Sequence, residues 1–291
     1  MSGPRMGTGA KQLTSPPSLL PLYARAAVTG PLHRGDALPE SVYSLGEQRI
    51  DPAHLAAYEK VCGFRVSDVL PPTYLHVLAF PLSVALMTET AFPFPLVGLV
   101  HVANSITVTR PVRAEEAVSL SVRAADLRPH PAGRQLDLLA EARVGDELVW
   151  SGQSTYLRRG KPPEGAKDKK PTPEAPDPTG NVAQVRVPEN IGRTYAAVSG
   201  DRNPIHMHAL SARLFGFPRA IAHGMWLKAR TLAALEGRLP TAYTAQVSFK
   251  TPVLLPSAIA ISTASDGSGW LLDVRNSRSG KPHLSGSVRT A

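Results

Sequence analysis

The chain has 291 residues, 43% hydrophobic and 19% charged, so it holds enough apolar material for one large domain or two smaller ones and is not a disordered polyelectrolyte. Its single cysteine, Cys62, excludes a disulfide scaffold and a cysteine-based zinc site, and it favours a reducing, cytoplasmic setting. The formal net charge is +9, but aromatic residues are only 6% and no RNP, zinc-finger or helix-turn-helix pattern is present, which argues against nucleic acid as a partner.

The positive charge is concentrated in the C-terminal part of the chain. Residues 1–157 carry 13 basic and 14 acidic side chains, whereas residues 182–291 carry 13 basic and 5 acidic ones. This asymmetry is typical of a region that meets an anionic ligand, although a solvated basic surface gives the same pattern.

Residues 1–40 are rich in Pro, Gly and Ser without a sustained hydrophobic period, which predicts a loosely ordered N-terminal arm. The apolar stretch Leu19–Leu22 is short and broken by Pro21, so no signal peptide is expected. Two uncharged runs, 69–88 and 90–109, approach the length of a membrane span, but they contain five prolines and no Lys/Arg cluster marks their ends. We interpret them as a buried helix followed by a strand, with no membrane association.

A second connector lies in the middle of the chain. Residues 160–180 contain six prolines and four lysines, a composition that predicts an extended linker. We therefore divide the chain into a first half (41–157), a linker (158–181) and a second half (182–291).

The two halves share an order of features that indicates a duplication. Tyr58–Gly63 has the same spacing as Tyr195–Gly200. A long apolar segment of helical length follows each match, at 73–88 and at 221–236. Pro81 in the first of these predicts a kink or a break.

Strands follow each predicted helix. Residues 243–249 alternate between apolar and polar side chains and lead into Thr251-Pro-Val253, while 102–108 alternate less cleanly and lead into Arg110-Pro-Val112. Later strands turn at Gly145 or Gly280. Each half is thus predicted to be one long central helix wrapped by a curved antiparallel sheet of three or four strands, which gives a pseudo-dimeric α+β fold.

The most informative motif is Tyr195-Ala-Ala-Val-Ser-Gly-Asp-Arg-Asn-Pro-Ile-His206. Gly200 permits an unusual backbone conformation and Asn203-Pro204 forces a turn, which can bring Asp201 and His206 to one point. A carboxylate and an imidazole sharing a water form a general acid/base pair. The alternative is that Asp201 and Asn203 cap a helix and His206 is a surface histidine, and spacing alone favours that alternative.

The segment from Ser199 to His206 resembles the signature of the MaoC-like, or hydratase-2, branch of the hot-dog superfamily. The Ala222-His-Gly-Met225 element that follows in that family is also present. The whole chain resembles the actinobacterial double-hot-dog 3-hydroxyacyl-thioester dehydratases, more specifically over 182–291 than over 41–157. The resemblance implies a tandem (double) hot-dog fold.

The resemblance also implies an activity, the (R)-specific hydration of trans-2-enoyl thioesters and the reverse dehydration. Asp201 and His206 are then the catalytic pair, with the individual proton transfers unassigned between them. The Gly224 amide is expected to meet the thioester oxygen, and Asn203 and His223 to support the substrate or the loop. No metal or separate cofactor is expected, because coenzyme A or the phosphopantetheine of an acyl carrier protein is part of the substrate.

Some histidine, cysteine and basic residues have alternative interpretations. His206, His208 and His223 suggest a metal site only weakly, because no acidic or cysteine ligand follows at the usual spacing. His76, His101 and Cys62 are interpreted as core or sheet positions. Basic candidates for an anionic carrier are Arg202, Arg213, Arg219, Lys228 and Arg230.

The first half departs from the motif. Phe64-Arg65-Val66 stands where Asp201-Arg202-Asn203 stands in the second half. We therefore expect the first half to be a degenerate hot dog with a degenerate helix. Its expected role is to supply an acyl-chain cleft around residues 80–100. A non-catalytic acyl-thioester binding or partner subunit is the alternative function, and thioester hydrolysis is a third. A monomer would suffice for a two-repeat unit, with homodimerisation left open.

Overall fold

The structure is a computed structural model that describes residues 9–29, 36–161 and 181–291. The first half and the arm before it contain β1 (Ala10–Leu13), α1 (Leu19–Thr29), β2 (Val42–Gln48), α2 (Pro52–Cys62), α3 (Tyr74–Met87), β3 (Leu99–Val108), β4 (Val118–His130), β5 (Gly133–Val144) and β6 (Glu147–Arg159). The second half contains β7 (Asn181–Val187), α4 (Ile191–Ser199), α5 (Pro204–Met207), α6 (Ala209–Leu214), α7 (Gly224–Ala233), β8 (Tyr243–Phe249), β9 (Ser257–Ser265), β10 (Gly269–Asn276) and β11 (Pro282–Thr290).

The strands of the described residues form one sheet whose order mirrors itself about its centre. The order is β1-β2-β4-β5-β6-β3-β8-β11-β10-β9-β7. At the centre β3 pairs antiparallel with β8, and Ser105 lies opposite Gln246. On either side Gly152 of β6 faces Ile106, and Gly286 of β11 faces Val247. Leaving β1 aside, each half contributes five strands in the same order, so the predicted duplication is confirmed with one or two more strands per half than expected.

The short helices α2 and α4, one in each half, end in the same way. Gly63 after α2 and Gly200 after α4 both adopt the left-handed conformation, with φ of 77° and 73°. A glycine adopts this conformation without the steric cost that a Cβ imposes, and its amide returns to a carbonyl of the last turn. The predicted match between Tyr58–Gly63 and Tyr195–Gly200 therefore corresponds to one structural feature present twice.

The central helices α3 and α7 lie inside the curved sheet. α3 is buried nearly all round and packs on β2, β4 and β5. Each fully buried Leu or Val contributes about 1.5–3 kcal/mol. α3 runs through Pro81 without the predicted break. α7 is shorter than the predicted 221–236, because its hydrogen bonding gives way to turns after Ala233.

The two halves hold each other through these helices. α2 packs on α7, and α4 packs on α3. The Trp226 indole donates to the Val61 carbonyl at 3.0 Å, and His54 Nε2 lies 2.8 Å from the Val198 carbonyl oxygen. Each half therefore covers the central helix of the other, as in a dimer built from one chain.

The prediction of a loosely ordered arm over 1–40 is wrong for residues 9–29. β1 pairs in parallel with β2, and α1 packs against α3. These partners come from distant parts of the chain, so local composition did not reveal them. The predicted linker coincides with β6 up to Arg159, and residues 162–180 lie outside the described residues.

Within the described residues, every helix is too short or too polar to cross a bilayer.

Candidate functional site

A cavity of about 360 Å³ lies where the two halves meet. The second half contributes the motif after α4, the first turn of α7 and the stretch that follows β8. The first half contributes α3 together with the ends of β3 and β6. Polar or titratable side chains on its walls are His76, His101, Tyr156, Arg159, Tyr195, Ser199, Asp201, Asn203, His206, His223, Lys250, Thr251 and His283.

The motif turn brings Asp201 and His206 together, as predicted. α4 ends at Gly200, Asp201 follows, and α5 carries His206. Asn203 is the N-cap of α5, with its Oδ1 accepting from the Ile205 amide at 3.4 Å and Pro204 in the first turn. The capping alternative is thus correct for Asn203, but His206 is buried rather than on the surface, at 8% exposure.

The two carboxylate oxygens of Asp201 have different surroundings. Oδ1 accepts from the Asn203 amide at 3.1 Å and from the Tyr23 hydroxyl at 3.3 Å. Oδ2 lies 3.8 Å from Nε2 of His223, and the Asp201 side chain is 28% exposed. One oxygen is therefore occupied by protein donors and the other is available to a ligand.

The ring of His206 has a defined tautomer. Its Nδ1 lies 2.8 Å from the Ile221 carbonyl oxygen. Because a carbonyl oxygen only accepts, Nδ1 carries the hydrogen in the neutral ring, and Nε2 holds the lone pair. His206 can then accept a proton through Nε2.

His223 supports both members of the pair. Its ring stacks on His206 with centroids 3.6 Å apart, and its Nε2 donates to the Asp201 carbonyl oxygen at 2.9 Å. Its Nδ1 is buried and has no hydrogen-bond partner among the residues that the structure describes. His223 therefore contacts both Asp201 and His206 and limits their orientation.

Burial and mutual contact set the protonation of the site. Burial lowers the pKa of His206 below its usual range and that of His223 to about 3. Burial alone would raise the pKa of Asp201, but His223, His206 and the donors on Oδ1 outweigh it and hold that pKa below its usual value. At neutral pH the site thus contains a carboxylate and two neutral imidazoles.

Gly224 begins α7 and lines the cavity. The first amides of a helix have no partner within the helix, and among the described residues no side chain caps those of α7. A Cβ at Gly224 would lie 3.1 Å from the Phe249 ring, closer than an ordinary contact. The glycine keeps this wall open beside a helix N-terminus, where partial positive charge is expected.

Asp201, His206 and His223 each present a ligand atom, and these atoms lie within 4.8 Å of one another. That is close enough to surround a cation. However, the Nε2 hydrogen of His223 is used on the Asp201 carbonyl, and the two imidazole rings are stacked rather than converging. This arrangement fits a hydrogen-bonded acid/base group better than a ligand set. The third histidine of the predicted alternative, His208, is exposed.

Sequence reasoning missed the wall opposite the motif. His76 and His101 line the cavity instead of lying only in the core, and His101 stacks on Tyr156 with centroids 4.7 Å apart. Burial lowers the pKa of His76 to about 4 and that of His101 to about 3. A register shift in β3 between His101 and Ala103 re-aims this part of the strand, which alternation alone does not reveal.

One basic candidate is also reassigned. Lys228 is fully buried and donates to Asn104 and to the Ala245 carbonyl, so it cannot reach a ligand at the surface. Arg202, Arg213 and Arg219 are exposed. Arg230 lies against Gly63. The exposed side chains of Arg159 and Lys250 line the cavity and were not predicted.

Comparison with known families and proteins agrees with this geometry. The sequence model of the MaoC like domain matches residues 164–283, which include the whole motif and α7. The 3-hydroxyacyl-thioester dehydratase X of Mycobacterium tuberculosis is 39% identical over 278 residues, which are 95% of this chain and 99% of that protein.

Solved structures show the same fold. A crystal structure of HtdX from Mycobacterium tuberculosis aligns with a TM-score of 0.76 and 39% identity, covering 86% of this chain and all of that one. A MaoC-like dehydratase from Phytophthora capsici aligns with a TM-score of 0.70 over 87% of this chain and 95% of that one, and at 18% identity it supports the fold alone. The predicted tandem hot-dog fold is confirmed.

Proposed function

Because this chain belongs to the MaoC-like dehydratase family, we propose that it catalyses the reversible hydration of trans-2-enoyl thioesters to (3R)-hydroxyacyl thioesters. The observation that carries the proposal is the convergence of a carboxylate oxygen of Asp201 and a ring nitrogen of His206 in one cavity, supported by the 39% identical 3-hydroxyacyl-thioester dehydratase X. The (3R) configuration rests on the family resemblance.

Asp201 and His206 hold the reacting water between them. Oδ2 of Asp201 is the oxygen not occupied by protein donors, and Nε2 of His206 carries the lone pair. In the hydration direction the water oxygen bonds to C3 while its proton passes to the pair. The π electrons of the double bond move toward the thioester carbonyl, which becomes an enolate.

The protonation states of Asp201 and His206 limit the possible sources of the proton that is added at C2. Asp201 is a carboxylate and His206 a neutral imidazole at neutral pH, because both pKa values are lowered. The pair has no proton to donate before it accepts one from the water. The proton that reaches C2 is therefore the one the water released, and H and OH are added with no other reagent.

The enolate oxygen needs a donor where negative charge develops. The first-turn amides of α7, at Gly224, have no partner within the helix, lie on the cavity wall and offer a hydrogen bond together with the helix dipole. Gly224 lacks the Cβ that would crowd Phe249 and narrow the space for the thioester.

The first half provides the apolar wall for the acyl chain. Phe80, Leu99 and Val100 of the first half line the cavity. Arg159 and Lys250 line it with exposed side chains and fit the anionic carrier, either coenzyme A or an acyl carrier protein.

The experiment is the ultraviolet absorbance of crotonyl-CoA, and then of longer enoyl-CoA chains, mixed with the protein. We expect loss of the conjugated enoyl signal with the wild type and a decrease in rate of roughly 10²–10⁴-fold in Asp201→Asn and in His206→Ala. The matched control is His208→Ala, which removes an exposed histidine two residues from His206 and should retain full activity.

Two outcomes would contradict the proposal. Absence of turnover with every chain length and with carrier-linked substrates would favour the binding or partner-subunit alternative. Release of a free thiol, detected with a thiol reagent, would indicate thioester hydrolysis, because hydration leaves the thioester intact.

A further inference from the structure

The arm before the first repeat reaches the catalytic motif of the second repeat. β1 lies along β2, and Lys11 forms an ion pair with Glu89, which also accepts from the Ser41 hydroxyl at 3.1 Å. Glu89 follows α3 and its side chain is only 11% exposed. These contacts fix the start of the arm against the first half.

α1 continues from this anchor to the site. Leu19 packs against Gly200, where a Cβ would clash with the Leu19 Cδ1 and would force that side chain to move. One turn later, the half-buried Tyr23 places its hydroxyl 3.3 Å from Oδ1 of Asp201, and the backbone of Arg202 also hydrogen-bonds that hydroxyl. Tyr23 therefore contacts the two residues that immediately follow the left-handed glycine of the motif.

The Tyr23 contact is directed at one carboxylate oxygen. Oδ1 receives both the Tyr23 hydroxyl and the Asn203 amide, while Oδ2 lies nearest His223 at 3.8 Å. Two donors on the same oxygen fix the rotation of the carboxylate about its Cβ–Cγ bond. The remaining lone pairs of Oδ2 then point away from α1.

We propose that Tyr23 is a positioning residue, whose hydroxyl holds Oδ1 of Asp201 so that Oδ2 alone faces the reacting water. This inference rests on the proposed hydratase function. Tyr23 is outside the set of described residues that line the cavity. It acts through Asp201, and it makes the N-terminal arm part of the active site rather than an appendage.

Other charged or titratable groups surround Asp201. His206 and His223 approach from the motif and from the start of α7, and their interaction with Asp201 lowers its pKa. Four more face it from further elements: Tyr195 on α4, Tyr156 on β6, His76 on α3 and His101 on β3. Unlike the contacts of Tyr195 and Tyr156 with Asp201, which are electrostatic, the Tyr23 hydroxyl donates a hydrogen bond directly to the carboxylate.

The test is Tyr23→Phe, which removes only the hydroxyl. We expect kcat to fall about tenfold, because a hydrogen bond to a charged group is lost. KM should stay within about twofold, because the substrate contacts are intact. The matched control is Tyr43→Phe on β2, whose hydroxyl accepts from Lys11 and not from the motif, and which should retain the wild-type kcat.

A second measurement does not depend on turnover. In protein labelled with ¹³C-aspartate, the carboxyl resonance of Asp201 is assigned by its absence in Asp201→Asn. Removal of the Tyr23 donor should raise the Asp201 pKa, because donation to the carboxylate favours its charged form.

The outcomes separate the two proposals. An active wild type with an unchanged kcat in Tyr23→Phe, or an unchanged Asp201 pKa, would overturn the role of Tyr23 and leave the hydratase function intact. A fall in kcat with a matching fall in the thermal unfolding midpoint would overturn it in favour of a structural role. A wild type without turnover would overturn the hydratase function, and the Asp201 pKa would still decide whether Tyr23 holds the carboxylate.

Discussion

The two halves of the chain share one layout and differ in the segment that joins the short helix to the central helix. In the second half, residues 200–223 separate α4 from α7 and contain α5 and α6, whereas in the first half residues 63–73 separate α2 from α3. The central helix of the first half, α3, is intact, contrary to the expectation of a degenerate helix. What the first half lacks is the longer segment that carries Asp201 and His206.

A cavity is present at the corresponding place in the first half. It measures about 460 Å³ and is lined by the segment before α3, by Trp150 and Val112 and by Tyr243 from the second half. No histidine lines it. Thr73 and Tyr74 occupy the start of α3 where His223 and Gly224 occupy the start of α7. The curved sheet and its helix therefore form a cavity in either half, and the motif segment with Asp201 and His206 lines the one in the second half.

The largest expected effect comes from making the start of α7 more like the start of α3. Gly224→Ala places a Cβ 3.1 Å from the Phe249 ring, so either the ring or the bound thioester must move. We expect kcat/KM for enoyl-CoA hydration to fall about 10²-fold, because misplacement of a reacting group by about 1 Å costs this much. The steady-state rate measures it.

The control for this substitution is Gly46→Ala, since a Cβ at Gly46 meets nothing within 4 Å. It should retain the wild-type rate. Unchanged activity in Gly224→Ala would contradict the assignment of the thioester to this wall.

The next largest effect is on stability and concerns Lys228, the buried lysine of α7, where α3 has an apolar residue. Counted from the N-caps His223 and Thr73, Lys228 corresponds to Leu78. Lys228→Met leaves the Asn104 side-chain oxygen without its donor. We expect the free energy of unfolding to fall by about 2 kcal/mol, measured by chemical denaturation.

The matched change is Leu78→Met, which should alter the free energy of unfolding by less than about 1.5 kcal/mol. A Lys228→Met variant more stable than the wild type would show that burying the lysine costs more than its hydrogen bonds return.

The repeat was predictable from sequence because it depends on local patterns. Tyr58–Gly63 and Tyr195–Gly200 encode the same helix end, and the alternation of 243–249 encodes a half-buried strand. The meeting of Asp201 and His206 followed from the turn at Asn203-Pro204. These features need only near neighbours in the chain.

The remaining parts depend on contacts between distant residues. Tyr23 reaches Asp201 across 178 positions, and Lys228 reaches Asn104 across 124. His101 faces the cavity because of a register shift in β3. Composition and periodicity carry no information on such pairings, which explains why the order of the arm, the burial of Lys228 and the exposure of His76 and His101 to the cavity were not predicted.

A smaller expected effect is on the pH dependence of activity, which should depend on the buried His206 of the motif and not on the exposed His208 beside it. Burial lowers the pKa of His206 below 6.5, so the ring stays neutral as the pH falls through that value. Protonation below its own pKa removes the base, and kcat/KM should then fall up to tenfold per pH unit. The pH profile of kcat/KM should therefore show an acid limb centred below 6.5, and His208→Gln should not move it. A limb centred at or above 6.5 would contradict the burial argument.

The smallest effect tests the cap that the first half does not have. Asn203 caps α5 through Ile205, whereas Val66 stands at the corresponding position and is 75% exposed. Asn203→Ala should lower the free energy of unfolding by about 1 kcal/mol, as for other lost N-caps, and should also reduce kcat, because α5 carries His206. Val66→Ala should change neither quantity. Thermal unfolding and the crotonyl-CoA assay measure both, and a loss of stability in Asn203→Ala with full activity would show that the cap supports the fold without placing the histidine.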